Sequence, residues 1–151
     1  MMNKLDLAYV GGLFDGEGNI QIVKRNPTSE RRDTYHLSVR LCIVEDYIPR
    51  WLASVFGGSV SKRLRHQKNP AHRDVYTWAC SQQIALSFLK RVFPHLRLKR
   101  AQAEVAIKFQ ERKNRIRPRR VDGSFLPKTK EELVIKEAEY ITIRDLKHQN
   151  Y

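Results

Sequence analysis

Cysteine is scarce: Cys42 and Cys80 are the only two in 151 residues, far apart and each in an apolar context. A disulfide framework needs more, so we expect free, buried thiols in a reducing compartment. Long apolar runs are missing too. No stretch spans a bilayer, and the N-terminus lacks the charged-then-apolar order of a secretory signal. The reading is a soluble intracellular protein with no membrane partner. Histidines are few, and His36, His66, His72, His95 and His148 lack zinc-ligand spacing. Acidic residues are short relative to basic ones, 16 against 29, for a net charge of +13. That excludes an acidic solvating protein and points to a polyanionic partner.

What is present fits one domain, since 151 residues with 41% apolar side chains suffice for one real core. The charge is uneven. Residues 21–73 carry 11 basic and 4 acidic side chains, residues 90–120 carry 12 and 2, and the tail from Lys128 is balanced at 5 and 5. The first 20 residues hold one Lys against three acids. An acidic patch inside a basic protein suits a cation site within a phosphate-binding surface; Asp6 is read as a surface charge near a helix start.

Apolar spacing predicts a helix over 4–15, strands over 19–24 and 35–43, and a helix over 46–56 closed by Gly57-Gly58. Strands over 60–66 and 74–80 follow, joined at Asn69-Pro70, then a helix from Ala85 to Pro94. The order is αββαββα, an α+β fold that uses one pattern twice without a sequence repeat. A basic helix spans 98–115, a loop follows, and Thr129-Lys130-Glu131-Glu132 matches a capping box opening a final, structural helix. We divide the chain into a core over 1–117, a loop over 118–128 and a C-terminal helix over 129–151 packed on the core.

Residues 7–18 read Leu-Ala-Tyr-Val-Gly-Gly-Leu-Phe-Asp-Gly-Glu-Gly. Two adjacent glycines cost a helix about 2 kcal/mol relative to alanine, so something offsets them. Ala8, Gly11 and Gly12 would let another helix approach closely. Gly16 could leave the helix with positive φ, placing Glu17 just past a helix C-terminus, where the dipole attracts a cation. If the partner helix is a second copy, two-fold symmetry brings two Glu17 carboxylates together to hold divalent metals. The alternative is that the glycines serve internal packing and Glu17 is an ordinary turn acid.

The run Tyr9-Val10-Gly11-Gly12-Leu13-Phe14-Asp15-Gly16-Glu17-Gly18 resembles the signature helix of the LAGLIDADG homing endonucleases. The element order resembles that family's single-motif homodimeric branch. Pro94-His95-Leu96-Arg97-Leu98-Lys99-Arg100-Ala101-Gln102-Ala103 is similar to the segment entering its last core helix, so the resemblance covers roughly residues 5–110. It implies a homing-endonuclease fold with an antiparallel β saddle and extra C-terminal helices. It also implies a homodimer that hydrolyses double-stranded DNA at a long pseudo-palindromic site, with Ala8, Gly11 and Gly12 at the dimer interface.

The resemblance implies that Glu17 and the Gly16 carbonyl bind the catalytic metal. Mg²⁺ is expected, Mn²⁺ as a substitute, and Ca²⁺ as an ion that binds without supporting cleavage. Glu in place of the commoner Asp lengthens the reach. Lys99 matches a basic residue near the active site, and Glu45 a water-organising position where Gln is commoner; Glu45 equally reads as the cap of the helix at 46–56. The other reading on the same fold is a non-cleaving binder, an intron RNA maturase or a DNA-binding regulator, with intron RNA as partner. Small size and the lack of splicing features favour an intron-encoded or free-standing frame, and the lack of a visible targeting segment suits synthesis where the protein acts, a bacterial cytoplasm or organelle matrix.

Strand alternation assigns the DNA-facing side chains. With Ile20 and Ile22 inward, Gln21, Val23 and Arg25 face outward; with Leu37, Val39 and Leu41 inward, His36, Ser38, Arg40 and Cys42 do. With Val60 and Leu64 inward, Ser61, Arg63 and Arg65 face outward, and Lys62 must snorkel or that register is wrong. The fourth strand fits either face; Tyr76 is assigned to the DNA side and Trp78 to neither. Lys24, Arg31 and Arg32 suit phosphate contacts. The cluster from Arg112 to Arg120 reads as a clamp on flanking DNA backbone or, alternatively, a nuclear-localisation run.

Overall fold

The computed structural model describes residues 2–25, 34–65, 67–115, 119–124 and 128–149. Arg31, Arg32 and the boundary expected at 117–118 lie outside them. Helix α1 (Lys4–Glu17) leads into strands β1 (Gly18–Arg25) and β2 (Thr34–Ile43), then helix α2 (Tyr47–Phe56). Strands β3 (Ser59–Arg63) and β4 (Val75–Ser81) precede helix α3 (Gln82–Val92), a 3₁₀ turn (Phe93–His95), α4 (Arg100–Asn114) and α5 (Lys130–His148). The αββαββα order is therefore present, with two further helices.

All strand pairs are antiparallel, in the order β1-β2-β4-β3. One sheet face carries Ile20, Ile22, Leu37, Val39, Leu41, Trp78 and Cys80, buried with Val10, Phe14, Phe88, Leu89, Ala106 and Phe109 from the helices. Phe88 stands edge-on to Phe14, Phe56 and Trp78 at 4.8–5.0 Å between centroids. Trp78 is fully buried and its Nε1 donates to the Gly57 carbonyl at 2.9 Å. That geometry needs the glycines: Gly57 and Gly58 have φ of 84° and 95°, and a Cβ on Gly58 would sit 2.5 Å from the Ala79 carbonyl oxygen.

Several expectations change. Helix α1 runs on through Gly16 to Glu17, and Gly16 is not among the positive-φ glycines, because Gly18 caps the helix in an extended conformation and the chain enters β1 directly. Asp6 forms a capping box with Asn3. Tyr76 pairs with Lys62 and Ile43 on the same sheet face as Trp78, so it faces the helices, not the open side. Lys62 snorkels from that face to Asp74 at 3.2 Å and lies over the Tyr76 ring. Strand β3 ends at Arg63, leaving Arg65 beyond the strand with its N–H on Asp74. Cys80 is buried, and burial pushes its thiol pKa up to about 12, whereas Cys42 is exposed.

Helix α5, capped by Thr129 on the Glu132 N–H, docks on α4 and β1 through buried Ile143 and the Tyr35–Tyr140 ring contact. Glu137 accepts from Lys24 Nζ at 2.8 Å and from the Tyr35 hydroxyl, and Arg112 pairs with Glu139. Lys24 and Arg112 are thus committed within the chain, as is Lys113, whose ammonium donates to the Tyr35 carbonyl. The hydrogen bonds from Lys24 and then Tyr35 hold the Glu137 carboxyl below the usual range. A depressed folded pKa means that this stabilisation is complete above the unfolded value of about 4.3 and is lost as pH falls through the folded one. Between pH 5 and 3 the thermal midpoint of the wild type should therefore fall further than that of Glu137→Gln.

Candidate nucleic-acid interface and metal centre

The last turn of α1 meets the segment entering α4. The Asp15 carboxylate, nearly buried, accepts from the backbone N–H groups of Arg97, Leu98 and Lys99 at 2.7, 3.2 and 3.0 Å. Those donors belong to the turn over 97–99 that leads into α4, so Asp15 satisfies them and ties the end of α1 to the entry of α4. Lys99, at the N-cap of α4, reaches back, and its ammonium donates to the Asp15 carbonyl. Burial lowers the Lys99 pKa, while Asp15 and Glu17 act to raise it. Asp15→Ala should destabilise the fold by about 2–3 kcal/mol, the scale for losing charge-assisted hydrogen bonds and orphaning their donors, as read by chemical denaturation.

A cleft of ≈ 310 Å³ opens beside this junction, lined by Asp15, Gly16, Gly18, Asn19, Leu98, Lys99, Gln102 and Lys147. Glu17 is exposed and ends α1 next to it. The structure thus brings Gly16, Glu17 and Lys99 together. Glu45 is not part of the cleft: it is exposed, one residue before Asp46, which is the actual N-cap of α2 and pairs with Arg50 at 3.0 Å. The cap reading of Glu45 is therefore replaced by Asp46.

Could these residues hold a divalent cation? A helix leaves its last carbonyls without intrahelical partners. Here the Phe14 oxygen accepts the Gly18 N–H and the Asp15 oxygen accepts Lys99, and Gly16 and Glu17 follow, both exposed, at the end of the helix. Hard oxygen donors of this kind suit Mg²⁺ or Ca²⁺. They make part of a coordination shell, and among the described residues no group of three His, Cys, Asp or Glu completes one within a single chain.

The sheet face away from the helices presents Gln21, Val23 and Arg25 from β1 and His36, Ser38, Arg40 and Cys42 from β2. Ser61 and Arg63 share that face, opposite Thr77 and Val75 of β4. Ser38 is on this side but buried, lying between Gln21 and Ser81 on the neighbouring strands. Burial lowers the His36 pKa, and Arg25, Lys113 and Arg40 add to the effect, so neutral imidazole is favoured on a cationic face. Thr77, which donates to Cys42 Sγ at 3.3 Å, was missed by the sequence reading, although alternation from Trp78 locates it. Asp15 and Gln102 lie inside the two motif segments but were given no role, and Lys147 was missed because no local pattern marks it.

The exposed side of α1 forms a separate surface. Leu5 is 80% exposed and Tyr9 53%, and with Ala8 and Gly12 they make a stripe at helical spacing. A Cβ on Gly12 would meet nothing within 4 Å. Gly11 differs: it is buried, and a Cβ there would lie 2.6 Å from the Cβ of His95. Its role is packing against the 3₁₀ turn of its own chain, which corrects its assignment to a dimer interface.

No family profile matches the chain, and no curated protein sequence matches it. Solved structures do. The homing endonuclease I-CvuI, in complex with an I-CreI target in the presence of Mg with the DNA not cleaved, is similar at TM-score 0.72 and 19% identity over 95% of this chain and 82% of that one. The archaeal intron-encoded homing endonuclease I-Vdi141I, complexed with DNA, gives 0.71 and 10% identity over 94% and 84%. The LAGLIDADG homing endonuclease I-GzeII, in complex with its DNA target, gives 0.58 and 15% identity, with 95% of this chain covering 44% of that one. Among the described residues, no helix is long and apolar enough to cross a membrane.

Proposed function

We propose that this chain, which has the LAGLIDADG homing-endonuclease fold, is a homodimeric, divalent-metal-dependent endonuclease acting at a specific site in double-stranded DNA. The observation that carries the proposal is the convergence of Gly16, Lys99 and the exposed Glu17 at the end of α1, beside the first residues of a strand whose outer face carries basic side chains. The sheet supplies the reading surface. A major groove admits a β-ribbon, and Gln21, Arg25, Arg40 and Arg63 can hydrogen-bond base edges, Arg favouring guanine and Gln adenine.

Glu17 and the Gly16 carbonyl would hold the metal, which when bound would activate a water and stabilise charge on the phosphate. Lys99 is held in place by the Asp15 carbonyl and can donate to a phosphate oxygen as charge develops there. Asp15 itself does no chemistry; it fixes the start of α4, and hence Lys99. Each chain provides only part of a metal shell. The stripe of Leu5, Ala8, Tyr9 and Gly12 supplies the surface on which a second copy would bring a second Glu17 to the axis. The covered fraction of I-GzeII supports that reading, because its chain leaves length for a second unit of this size.

Binding to a pool of randomised long duplexes in Ca²⁺ tests this function. The expected result is enrichment of a long site with related half-sites, with log K falling against log salt by about 0.9 for each phosphate neutralised. A flat salt titration, or preference for structured RNA over every duplex, would contradict it.

A further inference from the structure

We propose that Lys147 is a second phosphate-contacting cation of the cleavage centre, delivered to the cleft by the C-terminal helix. The inference rests on the endonuclease reading above and extends it to α5, which the sequence marks only as a charge-balanced structural helix.

Lys147 lies 130 residues from Glu17 in sequence, yet its side chain lines the same cleft as Gly16 and Lys99. Its ammonium donates to Asn19 Oδ1 at 2.7 Å, at the start of β1 immediately after the α1 terminus. The position is built. Tyr140, Ile143 and Lys147 recur at helical spacing on the docked side of α5, with Tyr140 against Tyr35 and Ile143 in the core. One turn earlier, Glu137 and Glu139 fasten the helix to Lys24, Tyr35 and Arg112. The register of α5 is therefore set by groups that have no other evident part in the site.

The charge arrangement indicates what the cleft receives. Two ammonium groups line it, and the hydrogen-bond partner of each is neutral: a backbone carbonyl for Lys99 and a side-chain amide for Lys147. The carboxylate in the wall, Asp15, is already bonded to three backbone N–H groups. The two ammonium groups share a partly enclosed space, with Lys99 also in the field of the Asp15 and Glu17 carboxylates, and an entering anion would be attracted by both cations. A phosphodiester oxygen fits, because exchanging Asn19 for a charged acceptor strengthens the Lys147 hydrogen bond. Lys147 then does what Lys99 does from another element of the lining, stabilising charge on the phosphate without exchanging a proton.

The test uses the full chain and the duplex selected in Ca²⁺. Lys147→Met should reduce the single-turnover cleavage rate in Mg²⁺ by about 10²-fold, the scale for losing one preorganised donor, with duplex affinity in Ca²⁺ changed less than about 3-fold. Lys147→Arg should recover most of the rate, because it keeps the charge at similar reach. An independent readout is lysine acetylation mapped by mass spectrometry: Lys147 should become protected when the duplex binds in Ca²⁺, while Lys108, paired with Glu104, should not.

An unchanged rate in Lys147→Met beside a cutting wild type would overturn the role of Lys147 alone. Equal losses of rate and affinity, or failure of Lys147→Arg to recover activity, would assign it to anchoring or packing and overturn it too. A wild type that binds the duplex but never cuts it would overturn the endonuclease reading, and this inference with it.

Discussion

Glu17→Gln should abolish DNA cleavage while leaving DNA binding within about 3-fold of wild type. The substitution keeps size and hydrogen-bonding capacity but removes the charged ligand from the end of α1, where the helix dipole and the Gly16 carbonyl already favour a cation. Glu17 is exposed, so the fold should not suffer. A loss of at least about 10³-fold in single-turnover rate is expected if metal affinity collapses, exceeding what a single missing hydrogen-bond donor produces. Gel-shift binding in Ca²⁺ and cleavage in Mg²⁺, run on the same preparation, separate the two properties. A Gln variant that cuts within 10-fold of wild type would remove Glu17 from the metal site.

The two adjacent glycines of α1 should respond in opposite ways. At Gly12 a side chain meets nothing within 4 Å, and arginine is a better helix former than glycine by roughly 0.7–1 kcal/mol. Gly12→Arg should therefore leave the monomer at least as stable. It should weaken self-association by about 10²-fold, since two-fold symmetry sets like charges against each other at a cost of several kcal/mol. Sedimentation should show monomers with an unchanged circular dichroism spectrum. At Gly11 a Cβ falls 2.6 Å from that of His95, so Gly11→Val should destabilise each chain by about 1–3 kcal/mol. If Gly12→Arg still dimerises at wild-type concentrations, the stripe on α1 is not the interface.

These glycines also show how far the sequence could be read. Helical spacing placed Ala8, Gly11 and Gly12 near one another, but only tertiary structure shows that Gly11 faces the chain's own 3₁₀ turn while Gly12 faces outward. The element order was legible because apolar periods of two and of 3.6 residues alternate cleanly from Leu5 to Phe109. On β4 that logic stalled. Tyr76, Trp78 and Cys80 are apolar enough to be buried from either side, and only pairing with Leu41 and Val39 settles their face. Lys62 looked like a register error and is instead a lysine that escapes along the sheet edge to Asp74.

The site divides the same way. Glu17 and Lys99 stood out through a family resemblance attached to short, contiguous motifs. Asp15 did not, because an acid that caps a remote segment looks no different in sequence from one that binds a metal. Its three backbone donors lie 82–84 residues away. Lys147 was equally hidden, one of five basic residues that five acidic ones cancel from Lys128 onward. Long-range placement of single polar groups is the part that local periodicity does not carry.

Cleavage itself is tested most directly by sequencing the ends produced when the wild-type protein meets its selected duplex in Mg²⁺, beside an identical reaction in Ca²⁺. An endonuclease of this kind should leave one break in each strand, at positions related by the approximate symmetry of the site, in Mg²⁺ and not in Ca²⁺. Tight, selective binding with intact strands in both ions would contradict an endonuclease.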